Sequence, residues 1–261
     1  VDYDKGTLTF REPINSRDSN FNPTYIVAEY ESADPADSKT TAGGRGSFKP
    51  APQLEIGATL IHDGTVGATG NLKGVDATYQ VDDQTKLRGE MAATNQDRSG
   101  ITSSGNAWLG EVTHHEDQWD AKAYVREQQG GFVVGQVGQQ AASEVATRKI
   151  GVDGRVKLSD KTQLQGQAYQ QSNLTTDAKN SVVEGRVENR LSDNLNAYYG
   201  ARTAQDQTTT GDTQSNQLIG GANYATDNKK LTLHTAAEIS SGTAGSANMP
   251  DRLTLGADYK L

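Results

Sequence analysis

The sequence predicts an all-β fold, an antiparallel transmembrane up-and-down β-barrel of about twelve strands, and three observations lead to this prediction. Apolar and polar residues alternate with a period of two in segments of about ten residues, the length of a tilted strand that crosses a bilayer. Short acidic turns alternate with longer polar connections. Hydrophobic residues make up only 33% of the 261 residues, which suits a sheet that needs apolar side chains on one face only.

Composition excludes several other classes of protein. A disordered polar chain would have a similar composition, and the alternation favours the sheet. The net charge is −8, opposite to what a surface that neutralises nucleic-acid phosphates requires, so we expect no nucleic acid partner. Cysteine is absent, which rules out disulfides and thiolate metal sites. No run of 18 apolar residues is present, so a transmembrane helix is not expected.

The alternation is clearest in the segment 149–158, where one face is apolar and the other is charged. The apolar series is Ile150, Val152, Gly154, Val156 and Leu158. A helix would bury the intervening charges, and the sequence shows no sustained helical spacing. From residue 54 onward twelve segments have the strand pattern: 54–61, 71–80, 86–93, 107–114, 119–127, 147–158, 162–172, 181–191, 195–204, 215–225, 230–240 and 252–261.

Two kinds of connection join these segments, and they alternate. Short connections contain Asp, Asn or Ser, whose side chains bond nearby backbone and favour tight turns; they are 82–84, 115–117, 159–161, 192–194 and 226–228. Long polar connections are expected at 94–106, 128–146, 173–180, 205–214 and 241–251. Transmembrane barrels of bacteria place short turns on the periplasmic side and longer loops outside.

Residues 1–53 have a different pattern. Two strand-like runs, Gly6 to Phe10 and Tyr25 to Tyr30, precede a stretch rich in Gly, Ser and Pro from Ser32 to Pro52. We expect an N-terminal β-hairpin segment and linker on the periplasmic side, and a barrel over residues 54–261. The alternative is that the two runs join the barrel and make fourteen strands.

The last strand, Leu253 to Leu261, resembles the C-terminal signature of Gram-negative outer-membrane β-barrel proteins of the porin type. In that family the final residue is hydrophobic, usually Phe, and an aromatic residue stands two positions before it. Here Leu261 takes the final place and Tyr259 the aromatic one. The resemblance implies a location in the bacterial outer membrane, contact with outer-membrane lipid and recognition by the barrel-assembly machinery.

Parity assigns a set of charged residues to the barrel interior. These candidate pore-lining residues are Arg88, Glu90, Lys122, Arg126, Asp153, Arg155, Glu184, Arg186, Glu188, Arg202, His234 and Glu238. Their functional interpretation is a water-filled lumen whose charges select solutes. The alternative interpretation is a set of cross-strand ion pairs that fills a narrow barrel.

The sequence contains no recognisable catalytic spacing, so we expect no enzyme and no cofactor. His114 and His115 are adjacent and would point to opposite faces of a strand, which excludes joint binding of one metal ion. Four aromatic residues are expected on the outer face near the periplasmic interface: Tyr79, Trp119, Tyr224 and Tyr259. The expected function is a pore for passive passage of small hydrophilic solutes. The alternative is a membrane anchor or assembly barrel for a larger surface or periplasmic protein.

Overall fold

The computed structural model describes residues 40–64, 68–98, 100–132, 146–241 and 251–260. In these residues the chain forms thirteen strands: β1 (Ala42–Ala51), β2 (Leu54–Asp63), β3 (Ala68–Gln80), β4 (Thr85–Arg98), β5 (Ile101–His115), β6 (Trp119–Gln128), β7 (Thr147–Ser159), β8 (Thr162–Asn173), β9 (Lys179–Arg190), β10 (Leu195–Thr208), β11 (Gly211–Ala225), β12 (Leu231–Ser241) and β13 (Arg252–Tyr259). No helix in this part of the chain is long and apolar enough to cross a membrane.

All thirteen strands belong to one sheet, in which their order is the order of the chain. Each strand pairs antiparallel with the next. The predicted all-β, antiparallel, up-and-down architecture is confirmed. Each of the twelve predicted segments is a strand, β2 to β13, with ends shifted by a few residues.

The first strand corrects the predicted start of the sheet. The sequence pattern predicts linker over residues 42–51, but these residues form β1, which pairs with β2 from Ala42 opposite His62 to Ala51 opposite Leu54. Gly43, Gly44 and Gly46 supply no side chains, so the alternation that marks a strand is missing there although the backbone pairs normally. Residues 1–39, which contain the predicted periplasmic hairpin, lie outside the described residues.

Two of the predicted long connections are also wrong. Residues 94–106 are mostly strand, because β4 continues to Arg98 and β5 begins at Ile101. Residues 205–214 behave in the same way, since β10 continues to Thr208 and β11 begins at Gly211. Their polar composition suggests loop, but the residues pair with each other across extended hairpins. The connection after β8 remains a loop over residues 174–178, and most of 128–146 and 241–251 falls outside the described residues.

The predicted short turns are present at the other end of the sheet, and Asp82 shows how they are built. Its carboxylate Oδ1 accepts hydrogen bonds from the backbone N–H groups of Gln84, at 2.8 Å, and Thr85, at 2.7 Å. These bonds to the charged form lower the pKa of Asp82. The stabilisation is therefore present above the ordinary aspartate pKa and is lost as the pH falls through the lowered pKa.

Candidate functional site: the inner face of the sheet

Burial of side chains is the reverse of that in a water-soluble sheet. Polar residues of one face are the more buried ones, and Gln217 and Asp120 are only 3% and 5% exposed. Apolar residues of the other face are open, and Leu218 and Leu253 are 66% and 69% exposed. The two faces are called here the inner face and the outer face, and successive residues of each strand alternate between them.

Two neighbouring cavities lie against the inner face. The larger has a volume of about 950 Å³ and is lined by residues from Thr59 on β2 to Arg252 on β13. Strands from both ends of the chain-ordered sheet thus border one space. The smaller cavity, of about 680 Å³, lies toward the short turns of β1 to β6, and both cavities contact Asp76 and Glu90.

A first charged cluster joins β9 and β10 on the inner face. Arg202 Nε donates to Glu184 Oε2 at 2.7 Å, and Gln167 Nε2 donates to the same oxygen at 3.1 Å. Arg202 Nη1 also donates to Gln217 Oε1 at 3.2 Å. Glu184 is nearly buried, so these donors replace the water that its carboxylate has lost.

A second cluster joins β5, β6 and β7. Lys122 Nζ lies 3.5 Å from Asp153 Oδ1 and 4.0 Å from Glu111 Oε2. Nearer the short turns, Asp120 forms ion pairs with Arg155 and His115. In both clusters the carboxylate and the base are on neighbouring strands, and the side chains therefore run along the wall of the sheet.

A third ion pair ties the edge strand β1 to β3 by crossing over β2. Arg45 Nη2 lies 2.6 Å from Asp76 Oδ2, and Gly57 of β2 stands between them in the register. A Cβ atom at position 57 would collide with the Arg45 guanidinium and would lie 2.6 Å from Asp76 Oδ1. Glycine at this position is therefore what lets the two side chains meet.

The region around Arg126 and Lys149 has a different charge balance. These two bases are directly opposite each other on β6 and β7, and both line the larger cavity. Lys149 Nζ lies over the ring of Tyr169, 3.6 Å from its centroid. Like charges directly opposite on neighbouring strands repel each other, so the pair forms a positively charged patch on the cavity wall.

All twelve candidate residues from the sequence lie on the inner face, as their register partners show. The structure groups most of them into the clusters above. Arg88 and Glu90 pair with each other at 2.7 Å on β4, and Arg186 and Glu188 lie 3.5 Å apart on β9. Glu238 faces Arg252 at 3.7 Å, and His234 faces Asp258 at 3.5 Å.

Sequence reasoning misses several inner-face residues. Arg45 lies in the predicted linker, and Asp76 gives no signal without this partner. Lys149 and Asp120 stand at the parity of the twelve candidates, so the same alternation could have found them. The inner-face tyrosines Tyr124 and Tyr169 escape because aromatic residues are expected on the outer face.

The outer face carries the predicted aromatic residues near the short turns. Tyr79, Trp119, Tyr224 and Tyr259 are all exposed there. His114 stacks on Trp119 with ring centroids 4.3 Å apart, while His115 turns to the inner face and pairs with Asp120. Among the described residues, no group of three or more His, Asp or Glu side chains is placed to hold a metal ion.

Comparison with protein-family models and with curated protein sequences gave no match. Among solved structures, the chain is similar to the outer membrane channel DcaP of Acinetobacter baumannii, with a TM-score of 0.49 and 13% identity over 85% of this chain and 84% of that chain. It is also similar to a bacterial polysaccharide outer membrane secretin, with a TM-score of 0.41 and 10% identity over 83% and 87%. A third similarity is to OmpT, an outer membrane protein of Vibrio cholerae in its trimer form, with a TM-score of 0.39 and 12% identity over 86% and 96%.

Proposed function

We propose that the chain forms a barrel in the bacterial outer membrane and provides a polar, charge-lined pore for passive passage of small hydrophilic solutes. The observation that carries this proposal is the direction of the inner-face ion pairs. They join neighbouring strands or pass over one strand, so they hold long side chains against the wall. A plug would need contacts from one wall to the opposite one.

The outer face supports placement in a membrane. On β7 an apolar series runs from Leu158 up to Ile150 and ends at Arg148, which pairs with Glu127 of β6 at 2.6 Å. Eight residues at about 3.3 Å each extend roughly 26 Å along a strand, which is close to a bilayer core before tilt is considered. On β8 and β10 the outward positions above this level are likewise polar, namely Gln170 and Gln205.

Barrel size leaves room for a lumen. A ring of thirteen or more strands that lie about 4.8 Å apart and tilt by about 40° has a backbone radius of roughly 13 Å or more. Side chains that lie along the wall then leave water at the centre. A barrel of this size is wider than the eight-stranded barrels whose interior side chains fill completely.

Planar-bilayer recording tests the pore directly. The full chain, extracted from outer membranes and added to a bilayer, is expected to give discrete, ohmic conductance steps. A folded protein with heat-modifiable mobility that gives no steps would contradict the pore. That outcome would favour the alternative, a membrane anchor or assembly barrel without transport of its own.

Ion selectivity is expected to depend on the Arg126 and Lys149 patch. Two charges at roughly 7 Å from a passing ion contribute about 1 kcal/mol in water, and screening at 0.1 M salt reduces this to about half. The double variant Arg126→Gln, Lys149→Gln should therefore change the permeability of each ion about threefold, toward cations. The reversal potential in a salt gradient measures this change.

A matched control removes the same two charges from the outer face. Arg148 and Lys179 are outward residues of β7 and β9, and both stand across from Ser172 in the register. Arg148→Gln with Lys179→Gln should leave the reversal potential at the wild-type value. An equal shift in both double variants would mean that the net charge of the protein, and not the inner-face patch, sets the selectivity.

A further inference from the structure

We infer that residues 25–30 form one additional strand, which pairs with β1 on one side and β13 on the other and completes a barrel of fourteen strands. The inference begins with the parity of the described sheet. Thirteen strands that all pair antiparallel place the first and the last strand in the same direction. Both β1 and β13 run toward the end of the sheet that carries the short turns, since β1 leads into the short 52–53 turn and β13 follows a connection at the opposite end.

Direct contact between β1 and β13 would be a parallel pair. The described strands contain no such pair, and all twelve neighbouring pairs are antiparallel. Bacterial single-chain barrels have an even number of strands. Open edges are not tolerated in a hydrocarbon layer, because each unpaired backbone group there costs several kcal/mol. One strand that runs opposite to both β1 and β13 satisfies both conditions.

The edge strand β1 is itself part of the wall, so the gap lies before it in the chain. Arg45 of β1 binds Asp76 across Gly57 on the inner face. Phe48 is 62% exposed on the outer face. At Gly44 and Gly46 an added Cβ atom would have nothing within 4 Å, so this side of the strand accepts new side chains.

The occupant is identified by chain direction and length. In residues 25–30, Ile26, Ala28 and Tyr30 alternate with Tyr25, Val27 and Glu29, which gives one fully apolar face. A strand in this segment would rise from the short-turn end and reach β1 through residues 31–41. That connection then belongs to the end of the sheet where longer connections are expected, which removes the objection that it is too long for a periplasmic turn. Adding the run from Gly6 to Phe10 as well would make the number of strands odd again.

Disulfide trapping in the full chain tests this arrangement, because the natural chain contains no cysteine. Neighbouring strands lie about 4.8 Å apart, within the range of roughly 4.4 to 6.8 Å that a disulfide requires between Cα atoms. Strands separated by a third strand lie about 9.6 Å apart and cannot be linked. The register is unknown, so Ala28→Cys is combined in turn with Gly44→Cys, Gly46→Cys or Phe48→Cys on β1, and with Leu253→Cys, Leu255→Cys or Ala257→Cys on β13.

The expected result is an intramolecular link from position 28 to one position of β1 and, in separate variants, to one position of β13, seen as altered mobility on non-reducing gels. The pair Phe48→Cys, Ile56→Cys is the positive control, because these residues are register partners on β1 and β2. Gly46→Cys with Leu255→Cys should not form a link. A link in that variant would show direct β1–β13 contact and overturn the proposal. Dimers in place of internal links would assign the edges to a second copy, and the absence of any link from position 28 would exclude residues 25–30.

Discussion

Deletion of β13 is expected to abolish assembly of the barrel in the outer membrane. β13 contributes eight register pairs with β12, from Leu231 opposite Tyr259 to Glu238 opposite Arg252. Removing residues 252–261 leaves the backbone groups of β12 without partners in lipid, at several kcal/mol for each group. It also removes the C-terminal segment through which we propose that the barrel-assembly machinery recognises the chain. The measurement is the amount of heat-modifiable barrel in isolated outer membranes.

Point variants of β13 separate the ladder from the outer face. Leu255→Ser with Tyr259→Ser keeps the backbone pairs but removes outward apolar side chains, and it should reduce the amount of folded barrel without abolishing it. Thr254→Ser with Asp258→Asn changes only inner-face positions and should assemble like the wild type. A normal amount of folded barrel after the ten-residue deletion would mean that β13 is not a required wall strand.

Most of the fold could be predicted from the sequence because a strand has a side-chain period of two. One correct phase assigns every residue of a strand to a face, and this is why the twelve candidate charged residues all lie on the inner face. The acidic turns add the chain direction, because Asp82 and its counterparts close tight hairpins at one end of the sheet. Both signals are local, and both survive without knowledge of neighbouring strands.

The missed features depend on information that is not local. β1 lacks alternation because its glycines present no side chains, and only its pairing with β2 reveals it as a strand. The upper ends of β4, β5, β10 and β11 carry polar residues on both faces, since they continue past the apolar series of the outer face. A polar segment of this kind cannot be distinguished from a loop by its composition alone.

The ion-pair partners could not be predicted for a related reason. Parity shows that Arg202 and Glu184 share a face, but it does not show that they stand opposite each other, because inter-strand register depends on the turns. The same applies to Arg45, which reaches Asp76 two strands away only because Gly57 leaves space between them. Prediction from the sequence therefore finds the set of charged residues and leaves their arrangement open.

The outer face gives the sharpest test of the membrane environment, through exchange of two adjacent residues on β7. Val156 is 41% exposed on the outer face, within two residues of the centre of the apolar series that runs from Ile150 to Leu158. Lys157, the next residue, belongs to the inner face and stands opposite Gln163 of β8. The double variant Val156→Lys, Lys157→Val has the same composition and the same net charge as the wild type.

The exchange is expected to reduce the stability of the barrel in lipid vesicles by about 2 to 4 kcal/mol, the cost of a lysine near the bilayer midplane. This corresponds to a thirty- to several-hundred-fold smaller ratio of folded to unfolded protein, roughly tenfold for each 1.4 kcal/mol, and denaturant titration of the vesicle-bound protein measures it. Lys157→Val alone should be close to the wild type because an inner-face lysine has no partner in lipid to lose. Gln205→Lys adds a charge to the outer face above the apolar series, where the cost falls to about 0 to 1 kcal/mol. If the exchange variant were as stable as both controls, the outer face would not be in contact with lipid.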